Sequence, residues 1–280
     1  MPETYCPFQN QLLAALPQAE FNRVSPGLAL VHLAQGDVLC ESGDPVHQVY
    51  FPTTAIVSML SVLEDGASTD IAVIGHEGML GIASMMGDDT ATCHHVVLSA
   101  GYCYSLHVQQ MRAEFNLAGP FMHLLQRYTL ALMCQMTQNA VCNRHHSLEQ
   151  QLCRWILLNL DRLPSNSLSM TQDLIASMLG VRREGVSEAA GKLQRDGLIH
   201  YSRGQILVHD RAGLEQRVCE CYGAVKREFH RLHVTAPHGG PAHAQNTSPA
   251  MLIANGRCAT RCGDCHNPIR TQHTTLHHGR

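Results

Sequence analysis

The chain has 280 residues, 45% hydrophobic and 15% charged, with a formal net charge of −3. That length accommodates two domains and a sizeable core, and no run approaches the ~18 consecutive apolar residues that mark a membrane span. The charge is uneven: residues 1–163 hold 6 Lys+Arg against 14 Asp+Glu, 164–234 hold 10 against 8, and 235–280 hold 4 against 1, which points any nucleic-acid contact to the C-terminal part.

Residues 1–27 read as an N-terminal helical segment, with Leu12, Leu13, Leu16 and Phe21 apolar and Pro17 and Pro26 as breaks. This stretch lacks the basic and apolar regions of a secretory signal, so a cytoplasmic protein with mostly free thiols is expected. From about Leu28 to Leu117 short alternating strands separate glycine-containing turns, which predicts a β jelly roll over residues 28–118. A long helix follows over 119–145, opening near Pro120, where proline is tolerated. Phe121, Leu125, Tyr128, Leu132 and Gln135 repeat at four and three as a heptad seam. Leu124, Leu130, Ala131 and Met133 beside it are also apolar. One side is expected to face the β domain and the other a second copy, giving a homodimer.

Residues 146–234 read as a DNA-binding domain. Its first helix, about His146–Leu163, carries Leu148, Leu152, Trp155, Ile156 and Leu160, with Trp155 as a core anchor. A helix from Thr171 to Met178, a turn at Gly180-Val181 and a helix from Arg183 to Asp196 then form a helix-turn-helix. The outward face of the second helix carries Arg182, Arg183, Glu184, Ser187 and Glu188, with Lys192 further along. Arg suits guanine O6 and N7, and Glu accepts from cytosine N4. Residues 198–210 alternate around Ser202-Arg203-Gly204-Gln205 as a hairpin, which completes a winged helix with Arg203 at its tip for a phosphate. Thr171, at the entry to the pair, joins Arg182, Arg183, Glu184, Ser187, Glu188, Lys192 and Arg203 as a candidate DNA contact. Beyond Leu232 the apolar period ends, and 235–280 reads as a disordered tail containing Cys258, Cys262, Cys265 and His266. Those four are a candidate metal site, and CGDCH also matches the haem-attachment pattern. Cys219 and Cys221 lie two apart on a predicted helix and are expected to face apart, so no shared metal is expected there.

In this order, a β-rich half, a long helix and a winged helix resemble the Crp/Fnr family of bacterial transcription regulators. The resemblance spans about 28–232 and rests on LAQGDVLCESGDPVHQVYF (33–51), GHEGMLGIASMMGDD (75–89) and GVRREGVSEAAGKLQRDGLI (180–199). It implies an α+β fold with a cyclic-nucleotide-binding-like jelly roll, a dimerisation helix and a winged helix-turn-helix. It also implies that Arg183 and Glu184 meet base edges, with duplex DNA as partner and RNA polymerase as a further one. Arg182 stands where a small N-cap is usual, and Glu188 where a base-reading Arg often occurs.

The same resemblance implies an effector pocket at Gly78, Met79, Leu80, Gly81, Thr90 and Thr92, with Thr137 from the long helix. Cyclic-nucleotide members place a Glu after the first loop glycine and an Arg-Ser or Arg-Thr pair later. Here Met79 follows Gly78, Thr90-Ala91-Thr92 occupies the later positions, and Asp88 and Asp89 repel phosphate. Cyclic AMP is therefore not expected, and the cofactor is left unknown. Cys6 stands alone, against an N-terminal iron–sulfur cluster, and His76, His94 and His95 are weak haem ligands. No catalytic constellation is recognised, so the chain is not read as an enzyme. The alternatives are a ligand-binding module or a cupin-like metal module whose winged helix mediates protein contacts.

Overall fold

The computed structural model describes residues 5–87 and 89–234. Two short helices, α1 (Gln11–Ala15) and α2 (Gln18–Val24), open the chain. Buried Asn10 caps α1 by accepting from Leu12 N and Leu13 N at 3.1 and 3.2 Å. The same side chain donates to Pro52 O and Gly78 O at 2.9 and 2.8 Å, which fastens the segment to the β domain.

That domain holds β1 (Ala29–Leu33), β2 (Val38–Cys40), β3 (Gln48–Pro52), β4 (Ile56–Val62), β5 (Ser68–Ile74), β6 (His94–Ser99) and β7 (Gly101–His107). Two antiparallel sheets, β1-β7-β3 and β2-β6-β4-β5, enclose a core that includes Val49, Phe51, Ile56, Ile74, Leu98 and Tyr104. The alternation in β3, with Val49 and Phe51 inward, follows from the two-residue period of a strand. At Gly101 a Cβ would lie 2.5 Å from Ala55 N, so only glycine lets those chains meet. A helix not anticipated from the sequence, α3 (Val108–Phe115), follows β7 directly, with His107 as its N-cap.

The long helix α4 (Pro120–His145) has 26 residues, about 39 Å at 1.5 Å per residue. Of the apolar sides of α4, the heptad seam is the one turned inward. Phe121, Leu125, Tyr128, Leu132 and Gln135 are buried within the same chain. Tyr128 OH donates to Met79 O at 2.7 Å, and Gln135 Nε2 donates to Val73 O at 3.1 Å. The apolar residues left open on α4 are Leu130, Met133 and Val141, at 65%, 57% and 42% exposure.

The C-terminal part comprises α5 (Leu148–Leu160), β8 (Ser167–Ser169), α6 (Gln172–Leu179), α7 (Arg183–Arg195), β9 (Ile199–Ser202), β10 (Gln205–Val208), α8 (Arg211–Arg217) and α9 (Glu220–Val234). Trp155 is buried in the core, as expected of an anchor. Helix α9 returns along α4: Phe229 packs edge-on to Tyr128, and Arg127 Nη2 donates to Arg231 O and Leu232 O at 2.6 Å. A cation there suits the negative end of a helix. Because α9 begins at Glu220, Cys219 lies outside it. The expectation that Cys219 and Cys221 face apart is therefore corrected: with Cys142 and His146 their ligand atoms lie within 4.8 Å of one another.

Candidate nucleic-acid interface and effector cleft

Thr171 is the N-cap of α6, its Oγ1 accepting from Leu174 N at 3.2 Å. The helix stops at Gly180, whose φ of 64° is the left-handed conformation that glycine adopts at least cost. Helix α7 buries Val186, Ala189, Ala190 and Leu193 and turns Arg182, Arg183, Glu184, Ser187, Glu188 and Lys192 to solvent. Arg182 takes the N-cap position without a side-chain hydrogen bond to the first turn. The early amides of α7 thus remain available to an anion.

Three of these exposed groups are satisfied by weak local partners. Arg183 Nε lies 3.5 Å from Asp173 Oδ1, and Lys192 Nζ lies 2.9 Å from Glu188 Oε1. Ser187 Oγ donates to Gln172 Oε1 at 2.6 Å. Surface ion pairs are worth about 0–1 kcal/mol, so exchanging them for a base edge costs little. Gln172 and Asp173 were not singled out by sequence, since their nearness to α7 depends on how steeply the two helices cross.

The wing is the β9–β10 hairpin, extended by β8 into a three-stranded sheet. Arg203 and Gly204 both have positive φ, 49° and 76°, as a two-residue primed turn requires. Arg203 is exposed at that tip, as expected. Tyr201 fixes the wing to its neighbours: its amide donates to Gln194 Oε1 at 2.7 Å and its hydroxyl to Met170 O at 2.8 Å.

In the β domain, Met79, Leu80, Gly81 and Thr92 come together with Val46, Met59, Ile82 and His95 around a cavity of about 30 Å³. That space suits a water or two rather than the ~300 Å³ and upward of ordinary ligand pockets. Gly78, Thr90 and Thr137 do not line it. Gly78 packs on Tyr128, where a Cβ would lie 2.7 Å from the hydroxyl. Thr90 bridges to Pro45, and exposed Thr137 donates to Met133 O at 2.8 Å. His95 Nδ1 lies 3.1 Å from Cys40 Sγ. Burial pulls the imidazole down to about 4 and pushes the thiol up to about 12, so both are neutral near pH 7. Arg112 is engaged by Asp89 and by Ser84 O. Asp88 and the tail set Cys258, Cys262, Cys265 and His266 lie outside the described residues.

The loop carrying Met79 and Leu80 also reaches the DNA-binding part. Glu77 Oε1 accepts from Arg162 Nε at 2.7 Å and lies 2.6 Å from Nη2, with both side chains buried. Burial opposes the charge on Glu77, but Arg162, His76 and a backbone hydrogen bond together hold the carboxyl below its ordinary range. Ser68 and Ser177 hydroxyls meet at 2.5 Å, and Thr69 Oγ1 donates to Met178 O at 3.4 Å. The end of α6 is thereby seated on β5. The cupin-like alternative is not favoured: among the described residues of the β domain, no three His, Cys, Asp or Glu side chains converge as a metal site.

Residues 30–116 match the cyclic nucleotide-binding domain family, and 150–217 match the Crp-like helix-turn-helix domain family. No curated protein matches. Solved structures do. One, described as a transcriptional regulator of the Crp/Fnr family from Eubacterium rectale, is 16% identical, with 75% of this chain and 98% of that chain covered and a TM-score of 0.60. FixK2 from Bradyrhizobium japonicum is 16% identical, covering 69% and 98%, with a TM-score of 0.58. The c-di-GMP-responsive global regulator CLP from Xanthomonas campestris is 15% identical, covering 69% and 99%, with a TM-score of 0.56. Among the described residues no helix is long and apolar enough to cross a membrane. With a cyclic-nucleotide-binding domain and a Crp-like helix-turn-helix on one chain, the two matched regions spanning more than half of it, the protein belongs to the Crp/Fnr family of transcription regulators.

Proposed function

We propose that this regulator reads duplex DNA as a homodimer in the cytoplasm, each subunit laying α7 in the major groove and setting Arg203 on a phosphate. The observation that carries the reading is the exposed polar rim of α7, from Arg182 to Lys192, above a face that is wholly core. Arg183 and Glu184 supply base-edge contacts, Ser187 and Glu188 lie one turn further on, and Thr171 and Lys192 flank them. Leu130, Met133 and Val141 support the dimer, being spaced by three and then eight along one exposed face of α4. Two such heads read half-sites about 34–36 Å apart. RNA polymerase is the further partner proposed, and no catalytic role is assigned.

We further propose that the effector is not recognised through a phosphate. The walls around Met79, Leu80 and Thr92 offer apolar groups and a neutral imidazole, and none of these lining residues is Lys or Arg. Selection from random duplexes tests the DNA reading. A twofold-related consensus should emerge, and Arg183→Ala should relax one position of each half-site by about 1–3 kcal/mol. Failure to enrich any sequence would refute the reading, and an unchanged consensus in the variant would remove Arg183 from its role. Cyclic AMP should leave the melting temperature unmoved; a saturable rise would overturn the effector argument.

A further inference from the structure

We propose that Cys142, His146, Cys219 and Cys221 bind a zinc ion that ties the end of the long helix to the start of α9. The four residues come as two pairs from distant segments, yet their ligand atoms all lie within 4.8 Å of one another. Cys142 Sγ and Cys219 Sγ are 3.5 Å apart, and Cys221 Sγ is 3.6 Å from His146 Nδ1. A tetrahedral zinc with Zn–S near 2.3 Å has ligand–ligand edges of about 3.8 Å. The spacing found is already close to that, so little movement is needed to close the shell. Three sulfurs and one imidazole are the soft donor set that favours zinc over calcium or magnesium.

The surroundings point the same way. His146 Nε2 lies 3.3 Å from Glu220 Oε2, the outer carboxylate that orients a ligating imidazole and leaves Nδ1 for the metal. Cys219 immediately precedes α9 and Cys221 is its second residue, so the positive end of that helix falls on both thiolates. Burial pushes the Cys142 thiol up, and the neighbouring guanidinium of buried Arg154, whose Nε has no hydrogen-bond partner, opposes it. A buried cation of that kind offsets the net negative charge of three thiolates around a divalent ion. The three thiols and Val218 form a small cluster separate from the main core. An ion held by this cluster would cross-link the end of α4 to the start of α9.

The test uses the full chain with Cys258→Ser, Cys262→Ser and Cys265→Ser, so that the tail cannot supply the ligands. Purified under reducing conditions, this protein should retain about one zinc per chain by elemental mass spectrometry. Cys219→Ser or His146→Gln should lower that at least fivefold. Replacement by cobalt(II) should give the intense visible absorption of a tetrahedral thiolate site. Should the single variants fail to fold, cobalt uptake by the tail variant alone decides the matter. Substoichiometric zinc that cannot be restored by added zinc salt would overturn the proposal. So would an octahedral cobalt spectrum, or a Cys142–Cys219 disulfide in freshly isolated protein. None of these readouts depends on DNA binding, so the regulator reading stands or falls separately.

Discussion

Replacing Glu77 by Gln tests the link between the loop that carries Met79 and Leu80 and the winged helix. The carboxylate oxygen Oε1 takes both contacts from Arg162, while Oε2 is buried without a hydrogen-bond partner. The amide side chain would keep one acceptor and lose the charge. Hydrogen bonds to charged groups are worth about 1.5–3 kcal/mol against about 0.5–1.5 for neutral ones, so two weakened contacts cost about 2 kcal/mol. The guanidinium is also left buried without a counter-charge, and breaking such a pair outright costs about 3–5 kcal/mol. A loss of about 3 kcal/mol follows, or about 6–12 °C in melting temperature for a protein of this size.

Urea and thermal denaturation measure it. The double variant Glu77→Leu/Arg162→Met removes both charges and should recover more than half of the loss, because apolar replacements of buried pairs are often neutral. The pH dependence has a fixed sign. Glu77 is held below its ordinary value of 4.5 in the fold, so its stabilisation is complete above that value. It is lost as pH falls through the lower folded value. The gap between wild type and Glu77→Gln should therefore be full-sized above pH 5 and narrow below about 4.5. A single variant within ~0.5 kcal/mol of wild type, with no recovery in the double, would refute a buried pair between the two parts.

Arg203→Ala should weaken all duplexes alike and reduce the salt slope of binding by about 1, read from titrations at several ionic strengths; a changed sequence preference would contradict a phosphate contact. Gly180→Ala puts a side chain at φ 64° and a Cβ 3.2 Å from Thr69 Oγ1. It should cost about 1–2 kcal/mol by denaturation, whereas an unchanged midpoint would argue that the turn is not seated on β5. Leu130→Glu with Met133→Glu should convert the proposed dimer to monomer by light scattering while leaving far-ultraviolet dichroism unchanged; a persistent dimer would place the interface elsewhere.

The winged helix was legible because its signals are local. Thr171 as cap, Gly180 at the turn and the stripe Val186, Ala190, Leu193 fix both helices before any long-range contact is known. The hairpin was legible through Arg203-Gly204, although its third strand, β8, was not, since Ser167–Ser169 becomes a strand only by pairing with β10. Helix α3 was hidden for a different reason: Val108–Phe115 continues from β7 without a glycine or proline break. Along α4 the heptad was visible but its partner was not. Apolar residues occupy more than one face, and which face meets β5 and α9 depends on how distant segments pack.

The cysteines show how a sound local rule fails at an element boundary. Residues two apart diverge only inside a helix, and Cys219 is not inside one, because Val218 and Cys219 form the short joint between α8 and α9. One usable signal did exist on the long helix. Cys142 lies in the last turn of α4 and His146, four residues on, is its C-cap, the His146 amide donating to Cys142 O at 3.1 Å, which keeps the two at one end of the helix. A thiol and an imidazole at that spacing are half of a metal site, lacking only two more ligands from elsewhere in the chain. What sequence could not supply was the return of α9 along α4, fixed far away by Tyr128 against Phe229 and by Arg127 on the carbonyls of Arg231 and Leu232. The same packing that turns the heptad face inward therefore assembles the thiol cluster, and a metal there would strengthen the contact that keeps α4 and α9 side by side.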